Sequence, residues 1–177
     1  FIYLLTPFSG SSKLKLFYEQ NSISLTQFSP NIKPDHAGYP EKHFEAMNLK
    51  SDMQHLKDKV AAGASYIVTQ MFFDNKKYFD FVAKCRASGI TIPIIPGIKP
   101  IQNLNHISFL PKFFHIDFPE NLATELEKCK NNADVNKLGV EWGIAQAKEL
   151  KAANVPCIHF YTMSKSESVK AIAREVF

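Results

Sequence analysis

With 177 residues, 45% hydrophobic and 21% charged, the chain is long enough to bury one sizeable core and has the composition of a soluble globular protein. Its net charge of +4 comes from 21 basic and 17 acidic residues that are interspersed, which reads as a solvated surface and argues against a nucleic-acid footprint. No apolar run reaches the roughly 18 residues that a membrane-spanning helix needs, and the apolar start at Phe1 to Leu5 has neither the basic flank nor the small-residue cleavage site of a secretory signal.

Residues 1–36 show no regular rhythm: Leu16-Phe17-Tyr18 and Ile23-Ser24-Leu25 are weakly strand-like, and Ser29 to Pro34 reads as loop. From about residue 38 onward, short β-branched or aromatic runs alternate with runs of helical spacing, the mark of βα units and a parallel sheet. A possible strand precedes Gly38. Ser51 and Gln54 have the spacing of a capping box, so a helix is expected from Ser51, with Met53, Leu56 and Val60 on its apolar face and Gly63 at its end. Tyr66 to Phe73 is a nearly continuous strand-forming run, as expected for a strand buried on both faces, and Asp74-Asn75 breaks it.

Phe79, Val82 and Arg86 then recur at helical spacing up to Gly89. Ile92 to Ile98 is a second strong strand. Pro93 marks its entrance and Pro96-Gly97 its exit into a loop, because proline lacks a ladder donor. Asn103 to Phe114 is expected to hold a helix broken at Pro111, and Pro119 suits the first turn of another that runs to about Lys130. Val135, Leu138, Trp142 and Ala145 mark a long amphipathic helix to about Ala153. Cys157 to Tyr161 is a third strand, and Glu167 to Phe177 a closing helix.

Three cysteines without a CxxC pair give no disulfide framework; Cys85 and Cys157 read as small core residues in a reducing, cytoplasmic setting. The six histidines show no ligand spacing, so no metal site is expected. Neither GxGxxG nor a P-loop occurs.

Gly38-Tyr39-Pro40-Glu41-Lys42-His43, Lys59-Val60-Ala61-Ala62-Gly63-Ala64, Thr69-Gln70-Met71-Phe72-Phe73-Asp74, Ile94-Ile95-Pro96-Gly97-Ile98-Lys99-Pro100 and His159-Phe160-Tyr161-Thr162 follow one another in an order and spacing that resemble the second half of methylenetetrahydrofolate reductase. The resemblance implies an α/β fold of the (β/α)8 TIM-barrel type, with FAD at the C-terminal ends of the strands. It implies NAD(P)H as co-substrate, reduction of 5,10-methylenetetrahydrofolate to 5-methyltetrahydrofolate, and a homo-oligomer when full length. Residues 37–177 match the C-terminal half of that barrel and its last three or four βα units, whereas 1–36 read as a divergent or truncated segment. A closed eight-stranded barrel needs about 250 residues. The chain also lacks an initiating Met, so an incomplete barrel is expected, inactive and poorly stable by itself. The family's general-acid Glu and Arg-Gly-Asp segment have no counterpart in residues 1–36.

The same resemblance assigns individual residues. Tyr39, alone a packing residue, is placed beside the flavin. His43 lies near the FAD chain, with Glu45 beside it in a polar loop that otherwise reads as surface. Asp52 and Lys59, seven residues apart on one helix face, turn toward the ribityl-diphosphate region; without the resemblance they are an ordinary solvated stripe. His55 joins this cofactor group, although relatives commonly carry an amide there. Gln70 is a polar amide in the strongest apolar strand, and its partners are either neighbouring backbone or the pterin edge of folate. Tyr161 is placed at the folate and nicotinamide pocket. Lys165 faces the glutamyl tail, where relatives often carry Arg. Leu110, or Phe109 beside it, holds the place of an aromatic that stacks on substrate. His159 shares a strand face with Tyr161 and reads as a satisfied core histidine. A barrel lyase or aldolase and a non-catalytic fragment are the competing readings. The first wants a strand-end Lys and a Gly-rich phosphate loop, and Thr162 to Glu167 lacks glycine.

Overall fold

The computed structural model describes residues 2–3, 36–43, 45–163 and 166–177, with the backbone alone at 2, 3 and 36. The weakly strand-like runs of 16–25, the loop of 29–34 and Lys165 lie outside the described residues.

The elements are β1 (Ile2–Tyr3), β2 (His36–Gly38), α1 (Leu49–Ala61), β3 (Ile67–Thr69), α2 (Asn75–Ala87), β4 (Ile94–Ile95), β5 (Gly97–Ile98), α3 (Asn105–Phe114), α4 (Glu120–Lys128), α5 (Asn132–Ala152), β6 (Ile158–Phe160) and α6 (Glu167–Val176). Every strand pair is parallel: β2 with β3, β3 with β4, β5 with β6, and β1 with β6. Because β4 and β5 are one chain stretch interrupted at Pro96, the strand positions run β2, β3, β4/β5, β6, β1. This is the α/β alternation that the sequence rhythm predicts. The pairing of Ile2 with Ile158 and Tyr3 with His159 brings the start of the chain, which has no such rhythm, against the last strand.

Helices dock on one face of the sheet. Ile67, Ile94, Ile98, Ile158 and Phe160 meet Leu56 of α1, Tyr78, Phe81 and Cys85 of α2, Ala147 and Leu150 of α5, and Val169, Ile172 and Val176 of α6 in one buried cluster. A second cluster joins Met71, Phe73 and Ile101 to Leu110 of α3, Leu122 and Leu126 of α4, and Val135 of α5. Cys85 and Cys157 are buried, and burial pushes their thiols up to about 11 and about 12, so they act as small apolar residues.

Several boundaries differ from the sequence expectation. Helix α1 starts at Leu49, and its capping box is Asn48 with Ser51: the Ser51 N–H donates to Asn48 Oδ1 (2.9 Å), and the Asn48 N–H donates to Ser51 Oγ (3.2 Å). Ser51 is thus the third helical residue and not the cap, because an Asn three residues earlier offers the same chemistry. Gly63 follows the helix at φ 104°, a conformation that costs a residue without Cβ little. On α2 the buried stripe is Asn75, Tyr78, Phe81 and Cys85, one residue off the expected one; Phe79 and Val82 flank it and Arg86 is exposed.

Pro96 does not end the strand. It cannot donate, but its carbonyl accepts from the His159 N–H at 2.9 Å, and Gly97–Ile98 resumes pairing with His159–Phe160. Helix α3 likewise runs through Pro111, which sits in its last turn where only one helical bond is forfeited. It stops at His115, in the left-handed conformation at φ 51°, whose N–H donates to the Pro111 carbonyl.

Candidate functional site

Strands β2 and β3 pair with Gly38 opposite Thr69, and the Gln70 N–H donates to the Gly38 carbonyl at 2.7 Å. Tyr39 and Gln70 are therefore lateral neighbours just past the C-terminal ends of adjacent parallel strands, where βα folds place their binding groups. Both line one narrow cleft, with Pro40, Glu41 and Lys42 on one side and Phe114, His115 and Ile116 on the other. The Met71 N–H donates to Gln70 Oε1 at 2.9 Å. Only an oxygen can accept that bond, so the side-chain NH2 is the end left for a ligand.

The walls of this cleft are tied together. Lys77 Nζ donates to Glu41 Oε1 (2.8 Å) and Asp117 Oδ2 (3.0 Å), and the Asp117 N–H donates to Glu41 Oε2 (2.9 Å). Burial raises the Glu41 carboxyl above the usual carboxylate range against the opposing pull of Lys77. The ordinary reading of such a pair is a loop tether, and here it fixes the segment that carries Tyr39.

A second cleft lies between the end of β2 and α1, lined by Ala37, Gly38, Tyr39, Leu49, Asp52, Met53, Leu56, Lys59 and Phe81. Asp52 and Lys59 share it, as their spacing predicts. Asp52 Oδ2 accepts from the His43 N–H at 3.0 Å, and the His43 ring stands edge-on to Tyr39 with centroids 4.4 Å apart. Partial burial, then the charges of Asp52 and Glu45, raise the Tyr39 phenol above its ordinary value, so it stays a neutral donor. His43 Nδ1 accepts from the Glu45 N–H at 3.3 Å. His55 is exposed and outside this lining, because three residues on from Asp52 turns it about 60° around the helix.

Tyr161, expected at the folate and nicotinamide pocket, lies just past the end of β6 and is half-buried. Its hydroxyl donates to the Thr69 carbonyl at 2.9 Å, so the ring reaches from β6 across β5 to the end of β3. Glycine at 97 permits this: a Cβ there would stand 2.7 Å from Tyr161 Cε2 and 2.4 Å from the Thr69 oxygen. Tyr161 is thereby anchored to the peptide that leads into Gln70, and it is absent from the lining of the cleft that Tyr39 and Gln70 share. Leu110 is fully buried in the second core cluster; Phe109 beside it is half-buried and stacks on Phe113 with centroids 4.4 Å apart.

His159 is a core histidine, 3% exposed, but not a satisfied one: its Nδ1 has no hydrogen-bond partner among the described residues. Burial pulls its pKa down to about 4, so it is neutral at physiological pH. Lys99, one residue past β5, was not singled out by the sequence reading. It is 2% exposed, and burial alone pulls its pKa down to about 8. The one available signal was a lysine set directly after an unbroken apolar run. Among the described residues no group of three or more His, Cys, Asp or Glu could hold a metal ion, and no helix is long and apolar enough to cross a membrane.

A family profile described as methylenetetrahydrofolate reductase matches residues 21–176. A probable methylenetetrahydrofolate reductase (NADPH) of Caenorhabditis elegans is 38% identical over 142 residues, which is 79% of this chain and 21% of that protein. The 5,10-methylenetetrahydrofolate reductase of Escherichia coli (strain K12) is 32% identical over 169 residues, covering 95% of this chain and 56% of that protein. The chain thus spans about a fifth of the nematode relative and little more than half of the bacterial one. Among solved structures, a Clostridium thermocellum protein described as binding two copies of 5-methyl-5,6,7,8-tetrahydrofolic acid shares the fold at a TM-score of 0.50 and 19% identity, over 79% of this chain and 51% of that one.

Proposed function

The chain belongs to the methylenetetrahydrofolate reductase family, and from that premise we propose that it takes part in the NAD(P)H-dependent reduction of 5,10-methylenetetrahydrofolate to 5-methyltetrahydrofolate, with FAD as resident cofactor, on a (β/α)8 barrel whose later strands are β2 to β6. The observation that carries this reading is the meeting of Tyr39 and Gln70 in one cleft at the C-terminal ends of neighbouring parallel strands.

The residues around the second cleft fit FAD in kind. Lys59 offers a point cation for a diphosphate. Asp52 keeps one carboxylate oxygen beyond its bond to His43, for a sugar or ribityl hydroxyl. Tyr39, held edge-on by His43, presents an aromatic surface and a neutral phenol between the two clefts. When bound, FAD supplies the hydride that NAD(P)H provides and the methylene carbon of the folate receives.

This chain's own contribution is binding and orientation. The Gln70 NH2 donates to an acceptor on the pterin edge while Met71 holds its oxygen. The Glu41–Lys77–Asp117 tether keeps the Tyr39 loop in place. Lys165 is proposed at the glutamyl tail and Phe109, beside buried Leu110, at the substrate ring. Lys99 at a strand end favours the lyase or aldolase alternative in one respect, but the loop after β6 has no glycine to cradle a phosphate.

The test is purification of the full-length protein. Flavin absorbance and folate-dependent NAD(P)H oxidation are expected, with Gln70→Ala losing at least about tenfold in folate turnover while retaining its flavin, the scale of one lost orienting bond. A colourless wild-type protein without folate-dependent oxidation would overturn the reading.

A further inference from the structure

The register of β5 and β6 sets Gly97 opposite His159 and Ile98 opposite Phe160. Ile98 and Phe160 belong to the helix-packed core, so alternation puts Gly97, Lys99, His159 and Tyr161 on the opposite face. Lys99 and Tyr161 are the next same-face pair along the ladder.

Lys99 Nζ donates to the Tyr161 carbonyl at 3.4 Å, a long bond. An ammonium has three donors, and among the described residues no carboxylate lies within ion-pair distance of this one. On the adjacent strand, His159 is 3% exposed, and its Nδ1 has no partner among the described residues. Two deeply buried polar groups with unfilled hydrogen-bonding capacity therefore share one face beside an aromatic ring that is itself pinned to Thr69. Folded proteins rarely leave such groups unfilled: ordered water, an ion or a ligand completes them.

We propose that Lys99 is a further substrate-binding residue that determines specificity: its ammonium group donates to the ring carbonyl oxygen of the folate pterin, with His159 Nδ1 as a second polar contact on the same face. This rests on the reductase reading above. The pterin is favoured over the flavin by position. Tyr161 connects Lys99 to the Thr69 carbonyl, in the peptide that leads into Gln70. Lys99 and Gln70 thus follow the C-terminal ends of neighbouring strand positions, whereas Asp52 and Lys59 line the separate cleft beside α1. Two donors on different strands fix a planar ring in orientation as well as in place, which a single amide cannot do.

Full-length protein tests this by equilibrium dialysis with 5-methyltetrahydrofolate, followed by difference infrared spectroscopy with the pterin carbonyl carbon labelled. Wild-type protein that binds no folate sinks the reductase reading itself. Given wild-type binding, Lys99→Met is expected to weaken it at least tenfold with flavin content unchanged. The labelled carbonyl band should move to higher frequency in Lys99→Met, because a charged donor at that oxygen has been lost. Wild-type affinity and an unmoved band in Lys99→Met would overturn the Lys99 assignment alone. Should Lys99→Met not fold, the wild-type spectrum decides: a band below its position in water supports the contact, and one at or above it denies the contact.

Discussion

Ile67, Ile94, Ile98, Ile158 and Phe160 leave one face of the sheet for a dry core against α1, α2, α5 and α6, while Gly97, Lys99, His159 and Tyr161 occupy the other face toward the C-terminal strand ends. On that second face, the apolar groups Tyr66, Val68, Ile95 and Cys157 form a cluster of their own. The first face stabilises by removing apolar area from water. Among the described residues, the polar end of the second holds a neutral histidine with an unpartnered nitrogen and a lysine whose charge is poorly compensated. Such groups lower stability unless something binds them, so one face maintains the fold while the other carries groups placed for a ligand.

The contrast breaks most severely on the core side. Phe160→Ala empties a fully buried site and should cost about 3–5 kcal/mol in chemical denaturation. On the polar face, pH is the lever. His159 has a folded pKa of about 4 against 6.5 unfolded, so the unfolded chain binds more protons between those values. Stability contributed at neutral pH is therefore lost as pH falls from about 6.5 to about 4, by at most about 3 kcal/mol. His159→Leu should flatten that part of the denaturation-midpoint profile relative to wild type. Gly97→Ala forces a Cβ against the Thr69 carbonyl and the Tyr161 ring, and should cost about 1–3 kcal/mol while disordering the Tyr161 contact. A tyrosine fluorescence or NMR shift confined to Tyr161 would report it. The smallest effect lies away from both faces: Asn48→Ala removes the α1 cap and should cost about 1 kcal/mol, read as a lowered thermal midpoint.

Much of this architecture was legible in the residues. Helix α5 follows from Val135, Leu138 and Trp142 at helical spacing, and the burial of Cys85 and Cys157 from their apolar neighbours. The joint lining of one cleft by Asp52 and Lys59 follows from two turns of helix. Other features were not legible. The stripe on α2 is shifted by one because Phe79 and Phe81 are equally apolar, and only the docking angle chooses between them. The His159 environment could not be read because a strand pattern gives burial but not partners. Leu110 and Phe109 likewise divide into core and half-buried positions only once α3 is packed.

Local chemistry by itself determined the βα alternation and the helices, because periodicity, turn residues and strand formers act within a few residues of one another. Tertiary structure alone decided the rest. The strand resumes after Pro96 because β6 supplies a donor to its carbonyl. Tyr161 reaches Thr69 because Gly97 lies beneath its ring. Lys99 is buried where its ammonium donates to the Tyr161 carbonyl past the end of the neighbouring strand. Each of these depends on which strand lies beside which, a non-local pairing that no window of the sequence contains.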